Sequence, residues 1–296
     1  MKIKPVACHP WLWVPSLYVA EGIPYIIAMT VSVVLYKRLG ISNTDIALYT
    51  SWFYLPWVIK PLWSPLVDMY RTKRSWIVAM QLLISLSLLS VAIAIPTAGF
   101  FRATAILFWI MAFSSATHDI AADGFYMLGL RQDEQAAFVG VRTTFYRVAA
   151  IAAKGGVVIM AGYLEIRGFP VASAWSLTFF VVAAVFTVLL LYHLFILPRP
   201  VPDRPAPVAS PQHRVSDFFR IMILFFKKKD IVALLAFFLF YRFAETQLVK
   251  MVAPFLLDPP ARGGLGLTTS EVGIAYGTVG VIALMLGGLL GGYAVY

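Results

Sequence analysis

Three stretches of this 296-residue chain, residues 75–95, 172–197 and 272–296, run for more than 20 residues without a single Asp, Glu, Lys or Arg. A buried helix of a soluble protein seldom sustains that. A helix rises about 1.5 Å per residue, so roughly 20 apolar residues cross the hydrocarbon core of a bilayer, and each crossing must satisfy its own backbone as a helix. Residues 11–36, 46–67, 103–130, 136–163 and 231–257 meet the same length test with a few charges embedded. The sequence therefore predicts an all-α, polytopic membrane protein with eight spans. Composition agrees: 60% of residues are hydrophobic and 13% charged, against about 25% charged in an ordinary soluble domain.

The formal charge of +10 does not mark a nucleic-acid binder, because the basic residues fall between apolar runs instead of gathering on one polar domain. With the N-terminus inside, thirteen of them lie in cytoplasmic segments and five outside, namely Lys37, Arg38, Arg102, Arg167 and Arg262. That bias sets the expected orientation, N-terminus cytoplasmic. The first apolar stretch is too long, and too free of a small-residue cleavage signal, for a removed secretory peptide. The single cysteine, Cys8, excludes an intramolecular disulfide and reads as a small buried residue.

The chain also resembles itself. Leu39-Gly40-Ile41-Ser42-Asn43-Thr44-Asp45 aligns with Leu265-Gly266-Leu267-Thr268-Thr269-Ser270-Glu271, each opening a span from the outer side with an acid in its first turn, where the helix dipole favours it. Upstream, Tyr18-Val19-Ala20-Glu21 echoes Tyr241-Arg242-Phe243-Ala244-Glu245. Between the units, six prolines from Pro198 to Pro211 precede the Lys227-Lys228-Lys229 triplet, which reads as a cytoplasmic linker ending in a short interfacial helix. The expected organisation is a six-helix bundle over 1–197, the linker over 198–230, and the first two helices of a second bundle over 231–296. A parallel repeat with a basic linker is the layout of major-facilitator carriers, whose site lies between the halves near the midplane.

Particular residues sharpen this. Lys60-Pro61-Leu62-Trp63-Ser64-Pro65-Leu66-Val67-Asp68-Met69-Tyr70, followed by Arg71-Thr72-Lys73-Arg74, resembles the end of the second helix and the next loop in AmpG-type muropeptide permeases of the major facilitator superfamily. The run Ser114-Ser115-Ala116-Thr117-His118-Asp119-Ile120-Ala121-Ala122-Asp123 resembles their fourth helix, and Tyr146-Arg147 falls where they carry a Tyr-Arg pair. Glu21-Gly22-Ile23-Pro24 is closer to the Gln-Gly-Ile-Pro of acetyl-coenzyme A transporters. The resemblance implies a carrier of about twelve helices, of which this chain holds eight, with a small polar solute and the lipid bilayer as partners. It implies a bacterial inner-membrane location, a monomer at full length, and a symporter of an anhydro-muropeptide; acyl-coenzyme A or another organic anion is the alternative solute.

Ionisable side chains at the bilayer centre cost about 2.5 to 3.5 kcal/mol on insertion scales, so those that persist usually face a cavity or each other. Asp119 and Asp123 lie one helical turn apart on one face, either as a proton-coupling pair or as neutralisers of Arg142 or Arg147. Arg147 and Lys154 share a stripe and could hold an anionic solute. Glu21 precedes Gly22 and Pro24, which are expected to loosen the helix; its repeat-mate Glu245 has Arg242 one turn back. Asp68, Arg71, Lys73 and Arg74 read as a cytoplasmic gating loop or as a plain topology signal. Neither a Walker loop nor a dinucleotide fingerprint nor a His pair at metal spacing occurs. No enzyme activity, metal, nucleic acid or cofactor beyond a proton gradient is expected, although an intramembrane transferase using His118 and Asp119 is the rival class.

Overall fold

The computed structural model describes residues 9–200, 203, 223–224 and 227–295; inside its helices the side chains of 238, 239, 242, 244–247 and 288–295 lie outside that description. Among the described residues every regular element is helical. They are α1 (Pro10–Arg38), a segmented α2 (Asn43–Trp52, Leu55–Ile59, the tight turn Lys60–Leu62, and Ser64–Met69), α3 (Lys73–Ala94), α4 (Phe100–Gly129), α5 (Gln132–Ile166), α6 (Val171–Ile196), α7 (Ile231–Leu257) and α8 (Thr269–Gly287, continuing to Val295). Six of them, all except α2 and α7, are long and apolar enough over their described residues to cross a membrane.

The second span departs from the unbroken helix expected over 46–67. Pro56, Pro61 and Pro65 each lack an amide hydrogen and crowd the preceding turn, and α2 is interrupted before Leu55 and again between Lys60 and Trp63. The expected loosening of α1 also takes another form. The helix runs unbroken through Gly22 and Pro24, then widens into a π turn over Ile27–Val31. Gly22 instead gives close approach: a Cβ there would stand 2.8 Å from Ala149 Cβ and 3.2 Å from Tyr146 O, on α5.

The internal repeat has matching local geometry. Gly40 and Gly266 both take the left-handed conformation, at φ 83° and 65°, which only glycine adopts without strain. Two residues later Ser42 and Thr268 cap α2 and α8, accepting from the amides of Asp45 and Glu271 at 3.1 and 3.3 Å.

The first six helices form one packed unit, with the broadest contacts between α3 and α4, α3 and α6, and α1 and α5. Its centre is aromatic: Phe108 stands 6.1 Å from Tyr36, 5.8 Å from Phe53 and 5.9 Å from Phe179 between ring centroids. Outward faces carry Ile93, Ile106, Val188 and Phe195 largely exposed, the surface that lipid covers. The second unit meets the first mainly near the end bearing Gly40 and Gly266, termed the closed end below. There α7 packs on the Ser32–Arg38 stretch of α1, and the start of α8 packs on α5. The α5–α8 contact is backbone on backbone. A Cβ on Gly277 would meet Lys154 O at 2.4 Å, and one on Gly162 would meet Ser270 N at 2.4 Å.

Candidate functional site

The membrane-embedded charges converge on one cluster. Glu21, Asp119 and Arg142 lie ten or eleven residues from the end of the bundle opposite the closed end, about 15 Å along their helices, which is half the hydrocarbon thickness. Glu21 is buried, its carboxyl lies against that of Asp119, and its Oε2 finds no hydrogen-bond partner among the described residues. Asp119 accepts from Lys60 Nζ, which the break in α2 presents to α4. Asp123 takes Arg142 Nη2 at 2.7 Å and Tyr18 Oη at 3.1 Å. The Arg142 guanidinium also stacks against the rings of Tyr18 and Tyr126, at 4.6 and 5.2 Å from their centroids. The cluster thus joins α1, α2, α4 and α5 through three carboxyls and two cations.

Behind it runs a buried polar string. Gln81 Nε2 lies 3.0 Å from His118 Nε2 and 2.9 Å from His193 Nδ1, and His193 Nε2 lies 3.0 Å from Ser16 Oγ. It ties α1, α3, α4 and α6, and it engages His118 through Nε2. Among the described residues no hydrogen bond joins His118 to Asp119, the pair an intramembrane transferase would use.

The other singled-out residues are dispersed. Arg147 is half-buried on α5 and has neither hydrogen bond nor ion pair among the described residues. Lys154 sits in the π turn Ile151–Val157 of α5 with its Nζ 3.1 Å from the ring centroid of Tyr276 on α8. Lys250 Nζ donates to both the carbonyl and the hydroxyl of Thr50, at 3.1 Å each. The side chains of Arg242 and Glu245, like Cys8 and most of the linker, lie outside the described residues. In the loop after α2, Lys73 pairs with Asp68, while Arg74 donates to Leu197 O at 3.2 Å, and Arg71 takes a left-handed backbone, φ 60°. Asp203 of the linker is buried and accepts from the amides of Lys73 and Arg74 at 2.6 and 3.1 Å. All these loop contacts stay within the first unit and its linker.

Sequence reasoning missed the closed end. Lys37 Nζ meets Asp258 at 2.6 Å and Asn43 Oδ1 at 2.7 Å, and Asn43 donates back to Asp258 at 3.1 Å. Its neighbour Arg38 meets Glu165 at 2.8 Å, and Glu165 also takes Trp175 Nε1 at 3.0 Å and Thr269 Oγ1 at 2.7 Å. Asp258 and Thr269 belong to the second unit, so two acids fasten the halves across this end. The Lys37 ammonium, against the opposing effect of burial and with Asn43 and Arg262 adding to it, holds the Asp258 carboxyl below its ordinary value. The only signal in the sequence was the placing of lone acids next to span ends.

A model of the Major Facilitator Superfamily matches residues 17–295. The chain belongs to that superfamily. Among its relatives, the putative transporter AmpG 4 of Rickettsia conorii is 26% identical over 290 residues, covering 95% of this chain and 66% of that protein. The anhydromuropeptide permease of Escherichia coli is 26% identical over 286 residues, covering 92% and 52%. This facilitator chain thus spans about two thirds of the first relative and half of the second. The crystal structure of a bacterial homologue of the human lysosomal transporter Spinster, inward-facing and unoccupied, matches at a TM-score of 0.70 and 17% identity, over 99% of this chain and 63% of that one. At that identity the likeness is one of fold. The expected AmpG-like facilitator bundle is borne out.

Proposed function

We propose that this chain forms the larger part of a proton-coupled secondary transporter of the bacterial cytoplasmic membrane, importing an anionic polar solute of which an anhydro-muropeptide is the first candidate. The contact between the Glu21 and Asp119 carboxyls near the midplane carries the reading. Two carboxyls in contact in a low-dielectric site repel unless a proton lies between them, so a site of this kind takes up and releases protons as its access to the two sides alternates.

The excess of Lys and Arg in the loops expected inside supports a cytoplasmic N-terminus. The closed end then faces outward, and the carboxyl cluster is reached from the cytoplasm. Arg147, a cation without a counter-charge among the described residues, supports an anionic solute, and the relatives' names support a muropeptide. The test is uptake of labelled anhydro-muropeptide by proteoliposomes, with and without an inward proton gradient, using the chain and its E21Q and D119N variants. Gradient-driven uptake that both variants abolish at unchanged protein level is the expected result. Uptake indifferent to the gradient would refute the coupling. With folded protein and no uptake of the muropeptide, acyl-coenzyme A is the next solute.

A further inference from the structure

Of the two described cations facing the three carboxyls, one is free to change partner. Arg142 is committed, held by Asp123 at 2.7 Å and stacked against both Tyr18 and Tyr126. Lys60 has Asp119 as its one described ion partner, and its side chain is 36% exposed where that of Asp119 is 14% exposed. It also stands in the tight turn Lys60–Leu62, where prolines have removed the continuous hydrogen-bond ladder that would fix its direction. The ammonium is thus the more exposed member of the pair.

We propose that Lys60 is an anion-binding residue of the transport site, and that it exchanges Asp119 for a carboxylate or phosphate of the solute when a proton reaches the Glu21–Asp119 pair. This rests on the transport reading above. The charges balance. With one proton between them, the two carboxyls carry one negative charge and Lys60 one positive. A second proton forms the remaining O–H bond, leaves the pair uncharged, and releases the unchanged ammonium to the incoming anion, so one proton enters per anionic group bound. Buried charge that stays uncompensated is costly, which makes the two events obligatory partners. The other groups around Asp119 do not compete for Lys60. Asp123 and Arg142 neutralise each other, Tyr146 on α5 is uncharged, Glu21 on α1 is the other half of the pair, and on the α3 side Gln81 is engaged with His118.

The experiment is equilibrium binding of labelled anhydro-muropeptide to the purified full chain in lipid nanodiscs, from mildly acidic to mildly alkaline pH, for wild type, K60R, K60Q and the double variant E21Q/D119N. Wild-type affinity is expected to fall about tenfold per pH unit on the alkaline side, the signature of one linked proton. K60R stays within about threefold of wild type, because the charge is kept. K60Q loses about tenfold or more at every pH. The double variant, its pair fixed uncharged, binds at alkaline pH as wild type does at acid pH, with a flat profile. Wild-type affinity in K60Q, or a retained pH slope in the double variant, overturns the exchange and leaves the transport reading standing. No binding by wild type at any pH overturns both the exchange and the muropeptide reading. Should K60Q fail to purify as a folded protein, K60M takes its place with the same expected loss, and wild-type affinity in it overturns the exchange.

Discussion

Replacing Asp258 by Asn removes the charge that fastens α7 to the end of α1. Lys37 approaches Asp258 at 2.6 Å with side chains only 14% and 13% exposed, and Asn43 braces both. A charge-assisted hydrogen bond with little exposure contributes about 1.5–3 kcal/mol and an exposed pair about 0.2–1. The site lies at the rim of the bundle, where bulk water screens it, so about 1.4 kcal/mol is the reasoned value, a tenfold fall in the ratio of closed to open molecules. Spin labels on Arg167→Cys and Ala261→Cys, both at exposed closed-end positions of opposite halves, in a Cys8→Ser background, read that ratio from the distance distribution by double electron–electron resonance. The D258N variant should gain the longer distance about tenfold, and K37M/D258N should gain scarcely more, because the two substitutions break one interaction. The pH dependence has a definite sign. Asp258 is depressed in the folded state, chiefly by Lys37, so its contribution is fully present above its ordinary value of about 3.9 and is lost only as pH falls through the lowered one. Wild type therefore keeps its distances from neutral pH down to about 5. An unchanged distribution in D258N, or wild-type opening within that neutral-to-mildly-acid range, would refute the reasoning.

Three further outcomes follow from packing. Gly277→Ala forces a Cβ to 2.4 Å from Lys154 O and 2.6 Å from Gly155 Cα, backbone atoms that cannot turn aside, and should cost about 1–3 kcal/mol; Gly156→Ala, which meets nothing within 4 Å, is the control, both read as thermal midpoints in detergent. Gln81→Leu strands the buried nitrogens of His118 and His193 and should lower stability by about 2–3 kcal/mol in the same assay, whereas a change under a few tenths would show the string to be dispensable. Asp203→Ala removes an acceptor from the first two amides of α3, worth about 1 kcal/mol, and hydrogen exchange at Lys73 and Arg74 should quicken about fivefold.

The spans were legible because charge-free runs leave few alternatives, and the repeat because Gly-x-Ser/Thr caps are short-range devices written in consecutive residues. Partner choice was not. Arg142 and Arg147 lie five apart on α5, roughly 140° around the helix, so only one can face Asp123; which one depends on how α5 is rotated against α4, a property of packing that no local pattern records. Lys60 could be seen as a charge within a span, but its reach to Asp119 depends on where three prolines bend α2. Asp258 and Glu165 read as loop acids, since their partners lie 221 and 127 positions away in the chain. Gly22 was read for its flexibility, when what matters is the missing Cβ facing Ala149.

The core has a bearing on biosynthesis. Among the described residues, one apolar cluster, from Trp13 to Leu197, draws on the first six helices and their ends, and the larger buries just Ala253 and Val272 from beyond them, with Leu256, Leu257, Leu267 and Tyr276 packed against its edge. A ribosome adding about 5–20 residues per second needs roughly 5–20 s to make the 99 residues that follow Leu197 here. During that interval the first bundle already holds nearly every partner its interior uses, so it can settle in the bilayer before α7 and α8 emerge to be received by a finished surface. Chains stalled just beyond the linker should then resist protease in membranes as the 296-residue chain does.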